Sequence, residues 1–390
     1  MRLAVWCTSY FTGFGGAEKV VNDLLNRFAA RGIETFLIAG KSERSRPYHP
    51  HHAPLDSAVR VYQNRFLNPF DDLRRPHLFV LRLFQYLIAA IQVGLFLRRN
   101  KIDVVHLHFV SFDVLLLILY KYLLRYKLVI TFAGSDVHLA AKTNWAGLKV
   151  RLALRHADCV TAVSRDLCAA LTAFGAATPL HIPNGVDPEH LQNLAAAYSS
   201  PVDGDHLIYC GRLTPVKRVP FLIEAFNQCL RRGCDRKLYI IGDGEESSRI
   251  NALIASYGLE NRIIALGALP HEQVLSAISR SRCLLLSSSS EGCPMVVLES
   301  FALGKPVIAP DVGGLKDILT HGENGYLYPA DRQDLLCDSI MKVVANGNLA
   351  GLLGSRGPVS IAGKFELDAV TENYCQIYRS MNSSGQSTCA

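Results

Sequence analysis

The stretch Leu284-Leu285-Leu286-Ser287-Ser288-Ser289-Ser290-Glu291-Gly292-Cys293-Pro294-Met295-Val296-Val297-Leu298-Glu299-Ser300-Phe301-Ala302-Leu303-Gly304-Lys305-Pro306-Val307-Ile308 reads as a strand, a loop, a helix and a second strand. The leucines make an apolar run of strand length. Pro294 is well placed to start a helix, where its missing N–H is no loss. The apolar stretch that follows ends at Gly304, and Pro306–Ile308 begins another strand-like run. Strands alternating with helices form parallel sheets covered on both faces.

The same alternation extends outward in both directions. Toward the amino end, strand-like runs fall at Arg2–Cys7, Glu34–Ala39, Val59–Tyr62, Val104–Leu107, Leu128–Thr131 and Cys159–Val163. Nearer the stretch are Leu207–Cys210, Leu238–Ile241 and Ile263–Ala265, with helical patterns such as Glu18–Arg31, Phe221–Arg232 and Gln273–Ser281 between strands. Two consecutive sets predict an α/β fold of two doubly wound, Rossmann-like domains with a cleft between them. The turn signal Asn184-Gly185 and the small-residue run Ala195–Pro201 put the boundary between Asn184 and Asp205. The expected domains are 1–190 and 191–365. A helix over Glu366–Met381 and a polar tail complete 366–390, which is expected to pack back toward the first domain.

A chain of 390 residues, 49% apolar and 19% charged, is long enough for two or three domains and excludes a disordered or collagen-like protein. Eleven cysteines without a C-x-x-C pair argue against a zinc ribbon or disulfide scaffold and for a reducing compartment. Met1–Cys7 carries an apolar run too short for a signal peptide. The longest apolar stretch, Leu78–Leu97, has polar residues at 82, 85, 92 and 99 on one helical face, which predicts a strongly amphipathic helix. Arg74 and Arg75 precede it, and Arg98, Arg99 and Lys101 follow. Two readings fit: a core helix with solvated arginine ends, or a helix that meets an anionic membrane surface. Residues 1–190 hold 23 Lys/Arg against 14 Asp/Glu, and residues 191–390 hold 18 against 20. The basic first half lacks runs interleaved with stacking aromatics, which disfavours nucleic acid.

Ligands of doubly wound sheets bind beyond the carboxyl ends of the strands. After the first strand, Gly13-Phe14-Gly15-Gly16-Ala17-Glu18 opens a helix whose amides suit an anion. The spacing is wrong for a dinucleotide fingerprint. Gly211-Arg212-Leu213-Thr214-Pro215-Val216-Lys217-Arg218 puts cations beside a glycine on a strand-to-helix loop, which suits a diphosphate. Gly242-Asp243-Gly244 is a further glycine loop after a strand. Glu291 lies in the loop after Leu284–Leu286, and Glu299 lies inside an apolar helix, where a carboxylate requires a partner. A ligand ribose would serve, as would a structural ion pair. Met295 and Val296 carry amides free at the helix start. His106-Leu107-His108 ends a strand, and without a carboxylate triad it reads as structural or substrate-contacting rather than metal-binding.

Taken in order, these segments resemble glycosyltransferase family 4, with the GT-B fold. The resemblance rests on Gly15-Gly16-Ala17-Glu18, Ala157–Ser164, Ile182–Asp187, Gly211-Arg212-Leu213 with Lys217, Ile241–Gly244, the Glu291/Glu299 pair and Gly304–Ala309, and it covers nearly the whole chain. It implies transfer of a sugar from a nucleotide-diphosphate sugar to an acceptor hydroxyl with retention at the anomeric carbon. Arg212 and Lys217 would hold the diphosphate, and Glu291 would orient the sugar. Glu299 would bind the ribose. Gly15, Gly16, Gly242, Met295 and Val296 would complete the donor site. No metal or other cofactor is implied. Many relatives carry a histidine where Thr131-Phe132-Ala133-Gly134-Ser135-Asp136-Val137-His138 has Ala133. Asp136, His138 or His108 would then contact the sugar or acceptor. The basic first half and the apolar helix at 78–97 lead to a further expectation: a cytoplasmic enzyme at the inner face of a membrane, with a lipid-linked or anionic acceptor such as a cell-envelope glycan precursor. The rival readings are a sugar-phosphate synthase or phosphorylase on the same architecture, or a non-catalytic sugar-nucleotide-binding protein. A nicotinamide oxidoreductase is disfavoured by the missing G-x-G-x-x-G.

Overall fold

The computed structural model describes residues 1–7, 10, 15–40, 55–64, 76–110, 113–134, 137, 144–202 and 204–383. The chain folds as two units, one built from Met1–Ile182 and Val370–Ala390, the other from Pro183–Ala369. This division falls earlier than the expected 190/191, for a physical reason. The helix Pro188–Ala197, capped by Asp187 Oδ1 accepting from His190 N at 3.0 Å, buries Leu191 and Ala195 against helices of the second unit.

The first unit runs β1 (Arg2–Cys7), α1 (Gly16–Ala30), β2 (Glu34–Gly40), β3 (Arg60–Asn64), α2 (Pro76–Arg99), β4 (Val104–His108), α3 (Val114–Leu124), β5 (Lys127–Phe132), α4 (Asn144–His156), β6 (Cys159–Ala162), α5 (Arg165–Ala173) and β7 (Leu180–His181). All strands pair in parallel in the order β3-β2-β1-β4-β5-β6-β7. The interiors of β1, β2, β4 and β5 are buried, as apolar runs rather than alternating patterns predict for strands covered on both faces, whereas the edge strand β3 is largely exposed. The order reverses between β1 and β4, so the crevice for ligands lies beyond the carboxyl ends of those two strands.

The second unit runs α6 (Pro188–Ala197), β8 (Leu207–Cys210), a 3-10 turn Pro215–Lys217, α7 (Val219–Arg231), β9 (Leu238–Ile241), α8 (Ser247–Ser256), β10 (Ile263–Gly267), α9 (His271–Arg280), β11 (Cys283–Leu285), α10 (Met295–Ala302), β12 (Val307–Pro310), a 3-10 turn Gly313–Asp317, β13 (Gly325–Tyr328), α11 (Gln333–Ala345) and α12 (Gly347–Ile361). Its parallel sheet has the order β10-β9-β8-β11-β12-β13, which reverses between β8 and β11. At the opposite end, Asp205 takes a two-pronged pair from Arg282, at 2.7 and 2.8 Å. Partial burial raises the Asp205 pKa, but the Arg282 and Arg236 guanidiniums together outweigh it and hold the carboxyl below its usual value. This aspartate serves the entry to β8, away from the ligand end.

The last helix, α13 (Leu367–Ser383), places Tyr374 and Tyr378 in the first unit. Phe28 of α1 meets both rings edge-on, at 6.5 and 5.6 Å. Arg31 Nη1 reaches Glu372 Oε2 at 3.1 Å.

The expectation for α2 needs correction. Leu78–Leu97 was expected to be strongly amphipathic, yet Phe84, Leu87, Ile88, Ile91 and Leu95 are exposed beside the polar Gln92 and Arg99. Among the described residues of α2, only Ala89, Ala90, Val93 and Leu97 form a buried stripe. The helix is apolar on both its inner and outer sides, because the polar positions are too few to occupy the outer surface.

Candidate active site

At the reversal point of the second sheet, the loop after β8 meets the loop after β11. Gly211 N donates to Ile241 O and Leu213 N to Asp243 O, each at 3.0 Å, so this loop lies directly on the loop after β9. The fit requires glycine. Gly242 has φ 141°, and a Cβ on it would stand 1.9 Å from Gly211 O. On the other side, Ser287 Oγ donates to Lys217 O and Ser289 N to Val216 O, each at 2.8 Å. The 3-10 turn that carries Lys217 is therefore fixed by backbone bonds on both flanks.

This framing brings Lys217 and Glu291 together. Lys217 Nζ donates to Glu291 Oε1 at 2.7 Å, and Ser288 Oγ donates to the same oxygen at 2.6 Å. The Glu291 side chain is only 8% exposed. Its carbonyl accepts from Gly314 N at 3.0 Å. Gly313, at φ 51°, approaches so closely that a Cβ would lie 2.1 Å from that carbonyl oxygen. Glu291 is thus held at both its main chain and its carboxylate before any ligand arrives. An ammonium has three donors, so Lys217 retains capacity for an anion while it holds Glu291. Arg212 sits on the same loop with an exposed side chain, and its carbonyl accepts from the buried Tyr209 hydroxyl at 3.4 Å.

Pro294 precedes α10 with φ −70° and ψ 121°, and the helix begins at Met295. The first amides of a helix have no intrahelical acceptor, and no acidic side chain lies in this first turn, so the N-terminus at Met295–Val296 favours an anion. Asn184 Nδ2 fixes the approach by donating to Cys293 O at 2.7 Å. One turn further, Glu299 is buried, and its Oε1 meets His271 Nε2 of α9 at 2.8 Å. Burial pushes the Cys210 thiol up, and the Glu299 charge adds to this, which puts the carboxylate near the carboxyl end of β8. Sequence reasoning missed His271, since nothing in the pattern around it marks it as the partner of a residue two elements away.

In the first unit, Gly15 precedes α1 and Gly16 opens it, just beyond β1. His108 ends β4 on the other side of that reversal point. His106 and His108 face the same side, with ring centroids 4.1 Å apart. His106 is fully engaged: Nδ1 with Tyr378 Oη and Nε2 with Thr131 Oγ1, both at 2.6 Å. His108 Nε2 is buried and finds no hydrogen-bond partner among the described residues. Burial lowers the His108 pKa to about 3 and, together with the neighbouring His108 ring, drives that of His106 well below 6.5. Both imidazoles are neutral at physiological pH. Asp136 and His138 lie outside the described residues. Among the described residues, no three His, Cys, Asp or Glu side chains gather where they could hold one metal ion.

Arg212, Lys217, Gly242, Glu291, Met295, Val296 and Glu299 therefore belong to the second unit, and Gly15, Gly16 and His108 to the first. Comparison with known proteins allocates these residues in the same way, although the two family models meet at 190/192, where the sequence reading put the boundary. A family model described as Glycosyltransferase Family 4 matches residues 14–190, and one described as Glycosyl transferases group 1 matches residues 192–358. The chain belongs to glycosyltransferase family 4, and its two parallel α/β units are those of the GT-B fold. N-acetyl-alpha-D-glucosaminyl L-malate synthase of Bacillus anthracis is 25% identical over 388 residues, covering 97% of both chains. Among solved structures, sucrose-phosphate synthase from Thermosynechococcus elongatus superimposes with a TM-score of 0.80 at 21% identity, over 98% of this chain and 100% of that one. Anabaena HepE in complex with UDP and glucose gives 0.75 at 20% identity, over 97% and 100%.

Proposed function

We propose that this chain transfers a sugar from a nucleotide-diphosphate sugar to an acceptor hydroxyl, with retention at the anomeric carbon. The observation that carries this reading is the Lys217–Glu291 pair, fixed at 2.7 Å at the reversal point of the second sheet. It sets a cation for a leaving phosphate beside a carboxylate for sugar hydroxyls. As the bond from the anomeric carbon to the diphosphate breaks, its electron pair goes to the departing oxygen. Arg212, Lys217 and the amides of Met295 and Val296 stabilise the charge that develops there. Glu291 orients the sugar, and Glu299, steadied by His271, accepts from the ribose. The acceptor proton passes to the departing phosphate oxygen, so a side-chain base is unnecessary and Ala133 is tolerated.

The acceptor belongs to the first unit, where the Gly15–Gly16 helix start and His108 Nε2, unpaired among the described residues, flank the other reversal point. A neutral imidazole nitrogen is suited to a hydroxyl. The basic, apolar character of this half favours a glycan or lipid-linked acceptor of the cell envelope, used on the cytoplasmic side, with no metal required. The donor is found by thermal shift against a panel of nucleotide sugars, since a ligand of the native state raises the melting temperature. With that donor, NMR of the product decides the stereochemistry. An α-linked donor gives an α-linked product under this reading, and a β-linked product overturns it.

A further inference from the structure

The crossovers through α2 and α3 both advance the sheet in the same direction, so the two helices cover one face and their carboxyl ends lie together at its amino-terminal edge. α2 is fixed to that face along one side. Its stripe Ala89, Ala90, Val93 and Leu97 is buried, and Phe96 stacks on Tyr62 with centroids 4.4 Å apart. Tyr120 Oη of α3 donates to Ala90 O at 2.5 Å, an approach that requires Gly94, where a Cβ would lie 2.8 Å from the Tyr120 ring.

The outer side of α2 has no cover among the described residues. Phe84, Ile88, Ile91 and Leu95 recur at helical spacing, with Phe84 61% and Ile91 63% exposed. On α3, Leu119, Tyr122 and Leu123 are exposed as well. Neither helix contains an aspartate or glutamate. Arg98, Arg99, Lys101 and Arg125 are exposed at the shared carboxyl end.

We propose that this face rests on an anionic lipid bilayer, with α2 lying along the interface and its outer row among the acyl chains. An apolar row with cations at its end and no acidic residue on either helix complements anionic headgroups over hydrocarbon. α2 is long and apolar enough to cross a membrane. Its inner stripe is committed to the protein, however, and it leads within a few residues into β4, between β1 and β5, so it lies on the surface rather than spanning. This binding needs no donor and stands apart from the proposed transfer chemistry.

Flotation of the full chain with vesicles of phosphatidylcholine alone or with about one-third phosphatidylglycerol tests it, without nucleotide sugar. The wild type is expected to float with the anionic vesicles and to lose most of this binding on vesicles of phosphatidylcholine alone. Phe84→Glu with Ile91→Glu abolishes flotation. Arg98→Gln with Arg99→Gln lowers the partition coefficient about 25-fold, since each cation near such a surface is worth about fivefold. Should the glutamate variant fail to fold, the arginine variant decides alone. A wild type that stays with the solution, or variants that float as it does, overturn the proposal. So does a stable dimer, by light scattering, that the glutamate variant splits, because that face would then join two copies of this chain.

Discussion

Under the proposed function Lys217 and Glu291 divide one task, and their variants separate it. Lys217→Ala or Arg212→Ala should lower turnover by about 100-fold or more, as for loss of a donor to developing charge; steady-state kinetics on the identified donor checks this. Glu291→Gln should leave affinity for the bare nucleotide diphosphate within a few fold by calorimetry while transfer falls steeply, because its carboxylate acts on the sugar. The histidine pair makes a separate, pH-dependent prediction. Both folded pKa values lie below the unfolded value near 6.5, so below that pH the unfolded chain binds protons that the folded chain refuses. The contribution of these two histidines to stability is then constant above about pH 7 and is lost progressively as pH drops below 6.5, down to about 3 for His108. Melting temperatures from pH 8 to pH 5 check the slope, and His108→Gln should reduce it. The residue types around Lys217 and Glu291 were legible before the fold because cations and a carboxylate stand there on glycine-flanked loops that follow strands. Their bonding partners were not: His271 is 28 residues from Glu299 and Tyr378 is 272 from His106, and no local pattern links them.

Among the elements, the βα loops of the second unit lean on one another through glycine. Gly242→Ala and Gly313→Ala each force a methyl group into a carbonyl oxygen, at 1.9 and 2.1 Å, and should cost more than about 2 kcal/mol by denaturant titration. Gly258, at φ 65° with nothing within 4 Å of a Cβ, is the control; its alanine variant should cost only about 1–2 kcal/mol. The long β-branched runs announced most strands to within a residue or two. β7 and β13 went unread because Leu180–His181 is two residues long and Gly325-Tyr326-Leu327-Tyr328 contains no β-branched side chain. For α2, the period of polar positions showed which residues share a side of the helix. It carried no information on whether protein covers the other side, and that is where expectation and structure parted.

At the scale of the molecule, the chain closes its first unit with its last helix. Removing Val370–Ala390 takes away Tyr374 and Tyr378, strips His106 Nδ1 of its partner and uncovers Phe28. A buried polar group left unmet costs about 1–3 kcal/mol, to which the lost apolar cover adds. Hydrogen exchange on the truncated chain should show faster opening of β4 and β5 and unchanged protection in β8 and β11. The two-unit design was readable from the double run of strand and helix patterns. The return of residues 370 onward to the first sheet depends on tyrosines whose targets lie hundreds of positions away.

That return has a consequence during synthesis. Residues 183–369 leave the ribosome between the two parts of the first unit, so the nascent β4 and β5 wait, with His106 Nδ1 lacking its tyrosine partner, for about 20 s at ~10 residues per second. Throughout that interval the later unit is free to fold as a contiguous segment, and α13 must emerge before the earlier one is complete.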